Sequence, residues 1–514
     1  MDRPNIILFM VDQLTSFVLS AYGGRVCKTP HIDALAARGV VFENAYCPYP
    51  LCAPSRFAMM SGRLPSRIGA FDNGAEFAAS TPTFAHYLRA HGYYTCISGK
   101  MHFVGPDQFH GFEERLTTEI YPADMSWTPE PTFGDVAEDD ERAYEFGVST
   151  IDTVRDAGPV ARSMQIDYDE DVVHHAIREL YARARGDDDR PFLMTVSLTH
   201  PHDPYVTTRE FWDLHAEAEI EDPRVPHVPV SARDPHSQSL YYHYGQDKCT
   251  LTDTDYRRAR RGYYGMISYV DSLFGRLMGA LDDSGFSHNT VIVFASDHGD
   301  MIGERGMWFK KTLFEPAIRV PLIVARPKGL AWRVSMPANL VDIFPTLCDL
   351  AGIPPNEIST PLDGHSLVPA LDGAGERNPV FIEHIDGGTA APRVCVRDGV
   401  KKLVLSRAYP AQLYDLASDP LELTNLAGTG DPDEVRLTAL AEQTWPLETL
   451  PETVVSSQIA RKLIDKALST GREERWDFVT RSHNHGANYV RRGDAFPAVE
   501  RRGYLQYKDE RKNL

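Results

Sequence analysis

Five short apolar runs with β-branched residues punctuate the chain: Asn5 to Val11, Tyr93 to Ser98, Phe192 to Leu198, Thr290 to Ala295 and Val320 to Ala325. Continuous apolar runs of this length, without alternation, predict strands buried on both faces. Between the first two, Thr29 and Pro30 precede an apolar face at Ile32, Leu35 and Ala36, and Gly39 follows. That order predicts a helix with an N-cap, a proline in its first turn and a terminal glycine. Strands alternating with helices predict an α/β fold around a large, mixed, mostly parallel sheet flanked by helices.

After about Pro369 the pattern shortens to Val380–Ile382, Val394–Val396 and Lys402–Leu405, which predicts a small antiparallel sheet. From about Ser456 the chain is rich in Arg, Tyr and His and reads as a helix followed by an extended tail. The expected organisation is a catalytic α/β domain over 1–370, a small α+β subdomain over 371–455 and the helix and tail over 456–514. Gly134 to Glu145 and Asp187 to Asp189 are acidic and read as solvated loops or helix ends. No internal repeat is visible.

Composition narrows the function. With 514 residues, 42% hydrophobic and 24% charged, the chain is ordinary globular material. Its 53 Lys plus Arg against 72 Asp plus Glu leave a net charge of −19, which disfavours a nucleic-acid partner. An anionic substrate would need a local positive site. The first apolar run is too short for a signal-peptide core or a membrane span, so a cytoplasmic protein with no membrane partner is expected. The seven Cys are odd in number and lack CxxC spacing, which argues against a disulfide framework or a zinc site.

Candidate chemistry gathers just past the strand ends: Asp12 and Gln13, Lys100 and His102, His200 and His202, Asp297 and His298. In an open parallel sheet that edge is where ligands bind, because neighbouring strands deliver their next residues into one crevice. Asp12, Gln13, Asp297 and His298 supply two carboxylates, an amide oxygen and an imidazole, a mainly hard set for calcium, with manganese or magnesium as alternatives. Asp297 to Asp300 also reads as a plain turn after a strand. The matching end of the first strand at Asp12 and Gln13 weighs against that simpler reading.

Cys52-Ala53-Pro54-Ser55-Arg56 is a CxPxR motif, followed by Ser61-Gly62-Arg63. Gly99-Lys100-Met101-His102, Pro201-His202-Asp203-Pro204, Lys310 to Glu315 with Arg319-Val320-Pro321, and Leu413 to Leu416 with Asp419, Pro420 and Glu422 to Leu426 follow in order. Together they resemble the sulfatase family of the alkaline-phosphatase superfamily over nearly the whole chain. Leu64 to Asn73, Ser98 to Pro122, Thr199 to Tyr205 and the tail look closely like its choline-sulfatase branch. Typical members carry a second Asp and an Asn where Gln13 and His298 stand. That departure is shared with choline sulfatases and phosphonate monoester hydrolases.

The resemblance implies that a formylglycine-generating enzyme oxidises Cys52 to formylglycine, and that Cys52 joins the metal ligands. A hydrated aldehyde offers one oxygen to attack sulfur and a second to expel sulfate later. By the same resemblance Arg56 holds the hydrated aldehyde, Lys100 and Lys310 clamp sulfate oxygens, His202 donates a proton to the departing alkoxide and His102 takes one to regenerate the aldehyde. His200 is expected to support rather than react.

Asn73 matches a substrate-contacting residue of the branch, although Asp72-Asn73-Gly74 is also a good turn. A trimethylammonium head, unable to donate hydrogen bonds, calls for aromatic faces and a carboxylate. The resemblance places Trp127, Glu383 and Tyr489 there. His483 and His485 read as surface residues. The implied activity is hydrolysis of a sulfate ester, choline-O-sulfate first, by a homo-oligomer, dimer or tetramer, with the tail at the oligomer contacts and Tyr489 open to serving either its own or a neighbouring subunit. Hydrolysis of a phosphonate monoester or phosphodiester is the alternative, and a non-catalytic sulfate-ester binding protein is a further one.

Overall fold

The computed structural model describes residues 3–138, 140, 149–216, 219–375, 379–472 and 474–479. Eight strands form the main sheet: β1 (Asn5–Val11), β2 (Val40–Phe42), β3 (Tyr94–Gly99), β4 (Glu114–Arg115), β5 (Phe192–Ser197), β6 (Thr290–Ser296), β7 (Leu322–Ala325) and β8 (Trp332–Val334). Their spatial order is β8-β2-β7-β6-β1-β5-β3-β4. Only β7 runs antiparallel to its neighbours β6 and β2. The sheet is therefore mixed and mostly parallel, as the alternation of apolar runs predicts.

Strand β1 lies at the centre, and its alternate residues face two cores. Ile7, Phe9 and Val11 pack with the helices α1 (Pro30–Arg38), α4 (Met164–Arg185) and α5 (Asp253–Asp283) on one face. Ile6, Leu8 and Met10 pack with α2 (Cys52–Ser61), α3 (Phe84–Ala90) and α6 (Ile343–Leu350) on the other. This is the period-two geometry of a strand buried on both sides, and it explains why the run shows no polar alternation.

One local detail differs from the sequence expectation. Val320 to Ala325 does not form one strand. Pro321 cannot donate to a ladder, so Arg319–Val320 pairs with Ala45–Tyr46 in a separate ribbon and only Leu322–Ala325 enters the main sheet. Gly39 ends α1 as expected, with extended backbone. A Cβ there would lie 3.1 Å from the Ala325 side chain and the Val324 carbonyl, so close packing against β7 accounts for the glycine.

The strands β9 (Val380–His384), β10 (Arg393–Asp398), β11 (Lys401–Ser406) and β12 (Gln412–Asp415) form the small antiparallel sheet. Helix α7 (Pro432–Thr444) covers it with Leu437 and Ala441. A last helix, α8 (Leu450–Leu468), packs Leu450 and Val454 against Tyr49, Leu51, Phe71 and Ile385. All seven cysteines are free, and six of them are buried.

The small sheet is tied to the rest by charge as well as by apolar contact. Fully buried Lys402, on β11, donates to Glu315 (3.1 Å) and Glu422 (2.6 Å), while the Glu315 amide donates to Glu422 (2.9 Å). Removing one partner of a buried network strands the others. Lys402→Met should therefore cost roughly 3–5 kcal/mol in urea unfolding, and a loss below about 1 kcal/mol would show that the network is not a structural tie.

Candidate active site

The register of β1 with β6 pairs Val11 with Ser296, so the next residues on each strand emerge side by side. Those residues are Asp12 and Asp297, both fully buried. Strands β3 and β5, paired at Gly99 and Ser197, deliver Lys100 and the segment from Thr199 to Asp203 to the same edge. Gly99 permits this approach: its φ is +107° and a Cβ would stand 1.9 Å from the Ser197 carbonyl oxygen.

Cys52 is the first residue of α2, all ten residues of which are buried. The helix aims its amino terminus at the strand ends, where its dipole favours an anion. Ser55 donates to the Asp297 carbonyl (2.6 Å), and the Ala53 amide donates to the Asn73 side chain (3.0 Å). Asn73 is thus fixed one residue from Cys52.

Asp12, Cys52, Asp297 and His298 bring their ligand atoms within 4.8 Å of one another. His298 donates through Nδ1 to the Gly299 carbonyl (3.0 Å), which turns Nε2 toward Cys52 Sγ (3.3 Å), Asp12 Oδ1 (3.7 Å) and Asp297 Oδ1 (3.8 Å). Anchoring one ring nitrogen to fix the other as a ligand is the usual outer arrangement of metal-binding histidine. The two carboxylates and the imidazole, all buried, fit a divalent cation. Gln13 sits beside it with φ +66°; Asp203 (3.1 Å) and Asp300 (2.7 Å) accept from its amide nitrogen, so its oxygen is the atom that faces Lys310 Nζ.

Arg56 crosses beneath this cluster. Its guanidinium donates to Asp297 (2.8 Å), Asp12 (3.1 Å), the Lys100 carbonyl (2.6 Å) and Ser197 Oγ (2.8 Å). The resemblance gives Arg56 the hydrated aldehyde to hold; in the structure its hydrogen bonds are committed to the two carboxylates and the strand ends. Lys100 pairs with Asp12 and lies 4.1 Å over the Tyr121 ring. Lys310 Nζ reaches Gln13, His202 Nε2 and, at 3.8 Å, Cys52 Sγ.

These charges set the ionisation of the site. Burial opposes ionisation of Asp12, but Lys100, His202 and Arg56 outweigh it and hold the carboxyl well below its usual range. Burial, reinforced by Asp12, pushes the Cys52 thiol up to about 11 against the pull of Lys100 and Lys310. The unmodified side chain is a neutral thiol. Burial and the neighbouring lysines push His102 and His202 well below the usual imidazole value, so both are neutral bases.

His102 has left-handed backbone at φ +62°, with its amide and that of Met101 donating to Glu119 (2.7 and 2.9 Å). Among the described residues neither ring nitrogen has a hydrogen-bond partner, and the ring packs edge-on against Trp127 (5.4 Å) and beside Tyr121 (5.0 Å). His200 is held through Nδ1 by Asp169 (2.6 Å), which fits its expected supporting place.

The structure therefore gathers Asp12, Gln13, Cys52, Arg56, Asn73, Lys100, His102, Trp127, His202, Asp297, His298 and Lys310 at one edge. It does not bring Glu383 to that cluster: the carboxylate is fully buried and accepts from Ser66 and from Trp445 Nε1 (2.5 Å), between the small sheet and the loop after α2. Tyr489, His483 and His485 lie outside the described residues. Tyr121, Glu119, Asp203 and Asp300 are site residues that the motifs do not single out. Asp203 and Tyr121 fall inside stretches that carry the family likeness, but nothing local distinguishes them from their neighbours.

Residues 4–353 match the family profile described as Sulfatase, and 303–447 match that of N-sulphoglucosamine sulphohydrolase, C-terminal. The chain belongs to the sulfatase family and is a sulfuric ester hydrolase. It is 44% identical over 484 residues to the choline-sulfatase of Rhizobium meliloti (strain 1021), covering 92% of this chain and 93% of that one. An arylsulfatase of Clostridium perfringens (strain 13 / Type A) is 29% identical over 453 residues, 82% of this chain and 90% of its own. Among solved structures, the phosphonate monoester hydrolase of Agrobacterium radiobacter superposes with a TM-score of 0.68 at 26% identity, covering 87% of this chain and 96% of that one.

Family membership implies a divalent metal and a formylglycine in general, and the buried cluster of Asp12, Cys52, Asp297 and His298 is suited to them. Among the described residues no helix is long and apolar enough to cross a membrane.

Because Arg56 neutralises two fully buried carboxylates, Arg56→Met should lower the stability of chelator-treated protein by roughly 3–5 kcal/mol. Urea unfolding checks this, and an unchanged midpoint would mean that Lys100 alone balances the pair.

Proposed function

We propose that this protein hydrolyses choline-O-sulfate to choline and sulfate, using a formylglycine made from Cys52. The observation that carries the choline assignment is the aromatic wall beside the reactive edge: Trp127 and Tyr121 pack 4.9 Å apart, both against His102. A quaternary ammonium cannot donate hydrogen bonds and is held by aromatic faces instead. The 44% identity to a choline-sulfatase over 92% of the chain supports the same reading.

Asp12, Gln13, Cys52 after modification, Asp297 and His298 would hold the divalent ion, with calcium favoured by the oxygen-rich set and manganese or magnesium as alternatives. Such an ion polarises sulfuryl oxygens and eases deprotonation of a nearby hydroxyl. In the structure Cys52 Sγ marks where the hydroxyls of the hydrated aldehyde attach; that group supplies the attacking oxygen, and the formylglycine-generating enzyme is the partner that installs it.

The chain's own residues then divide the remaining work. Lys100 and Lys310 place ammonium groups on the side of Cys52 where an anionic ester must sit, and with the helix terminus they balance its charge. Burial disfavours the charge on Lys310, but the surrounding acidic groups, Asp12 and Asp297 among them, outweigh it and hold the ammonium above the ordinary lysine value. His202 Nδ1 donates to the Asp203 carbonyl (2.6 Å), and Lys310 donates to Nε2, so a proton is shared at the edge where an alkoxide departs. His102, neutral and with both ring nitrogens free of hydrogen bonds among the described residues, is suited to accept a proton on the same side.

The likeness to phosphonate monoester hydrolase supplies the second reading, since a tetrahedral phosphoryl group would meet the same charges. Protein coexpressed with the formylglycine-generating enzyme should release sulfate from choline-O-sulfate with a kcat/KM at least tenfold above that for 4-nitrophenyl sulfate or a phosphonate monoester. Preference for the phosphonate would move the protein to the second reading. Cys52→Ala should retain the fold, checked by circular dichroism, and lose turnover on every ester; turnover at the parental rate would refute the formylglycine route.

A further inference from the structure

We propose that Arg461, on the C-terminal helix α8, is a positioning residue for the sulfatase reaction, clamping together the two loops that set Asn73 beside Cys52 and Trp127 against His102. The inference rests on the sulfatase reading and extends it to a helix that carries none of the family motifs.

One face of α8 points at the site. Val454 packs with Leu51 and Phe71, Gln458 reaches Asp72 (3.4 Å), and Arg461 follows one turn on. The spacing of four and then three residues keeps these side chains on one stripe of the helix. Asp72 is fully buried and Arg461 nearly so. Their ion pair is bidentate, Nη1 to Oδ1 at 2.6 Å and Nη2 to Oδ2 at 2.7 Å. A buried ion pair adds little net stability over an apolar pair of the same shape, because desolvating the charges offsets their attraction. What the fork geometry does supply is a fixed position for the chain that carries the carboxylate.

That chain is the Phe71 to Gly74 loop. Asn73, next to Asp72, accepts from the Ala53 amide at 3.0 Å, one residue past Cys52. Arg461 Nη1 is shared with Thr128 Oγ1 at 3.0 Å, so the same guanidinium grips the neighbour of Trp127. The two loops are in backbone contact beneath the clamp: a Cβ on Gly74 would lie 2.3 Å from the Thr128 nitrogen. His102 makes no side-chain hydrogen bond among the described residues, so the orientation of its ring depends on packing against Trp127 and Tyr121. A shift of the Thr128 loop is thereby passed to His102, and a shift of the Asp72 loop to the amino end of α2. Misplacements of about 1 Å at such distances can lower turnover by about 10²-fold.

The test compares full-length Arg461→Met, Arg461→Lys and Lys462→Met, each coexpressed with the formylglycine-generating enzyme. Lys462 is the control from the same helix, since its pair with Glu130 is solvent-exposed. The readout is kcat and KM on 4-nitrophenyl sulfate and choline-O-sulfate, normalised to formylglycine content by mass spectrometry, beside the melting temperature.

Arg461→Met should lose at least tenfold in normalised kcat on the aryl ester. Arg461→Lys, able to pair with Asp72 but not to span to Thr128, should fall between it and the parent, and Lys462→Met should match the parent. Parental normalised kcat in Arg461→Met, with only a lower melting temperature, would overturn the proposal. Should Arg461→Met not fold, Arg461→Lys together with Thr128→Val decides, and parental kinetics in both would overturn it. The aryl-ester readout is independent of choline preference, so a parent that does not favour choline-O-sulfate counts against the substrate assignment alone.

Discussion

Two carboxylates buried side by side at the ends of neighbouring parallel strands are the constraint around which this molecule is arranged. Asp12 and Asp297 would repel in a medium of low polarity, and neither can be left uncompensated. The fold answers with Arg56 from beneath and Lys100 from the end of β3, and on the side of Cys52 the two carboxylates and His298 form a donor cluster whose charge a cation would also balance. Each compensating group comes from a different element. The register of β1, β6, β3 and β5 and the seat of α2 are therefore coupled to one another through charge.

Around that centre lies a layer of groups whose task is orientation. Asp203 and Asp300 fix which end of the Gln13 amide faces inward, Gly299 fixes the His298 tautomer, and Glu119 holds the strained backbone at His102. Such groups cost little to keep once buried and satisfied, but losing one leaves a polar atom without a partner in the interior. Preorganised charge of this kind is what lowers the barrier for a slow ester cleavage, because no solvent has to reorganise as the reaction proceeds.

The C-terminal part of the chain is joined to the same centre rather than appended to it. Lys402 ties the small sheet to Glu315, in the same block as Lys310, and Glu383 is locked between Ser66 and Trp445. Helix α8 packs on Leu51, the residue before Cys52, and Arg461 grips Asp72. Apolar and ionic contacts thus fasten the start of α2 from both the small sheet and the last helix.

The sequence by itself determined the layered α/β architecture, because runs such as Asn5–Val11 and Phe192–Ser197 are mostly apolar and carry no charge, the pattern of strands covered on both faces. It also marked Cys52, through its motif, and the residues at the strand ends, since a strand end followed at once by Asp12 or by Asp297 and His298 is a local signal. Tertiary structure alone decided the rest. It split Val320 to Ala325 at Pro321, and it made Gly39 a packing glycine. It turned Glu383 away from the cluster and brought in Tyr121, Glu119, Asp203 and Arg461. The physical reason is sequence distance: Asp203 meets Gln13 and Arg461 meets Asp72 across intervals that no local periodicity can encode, so their roles exist only once the sheet has placed its edges together.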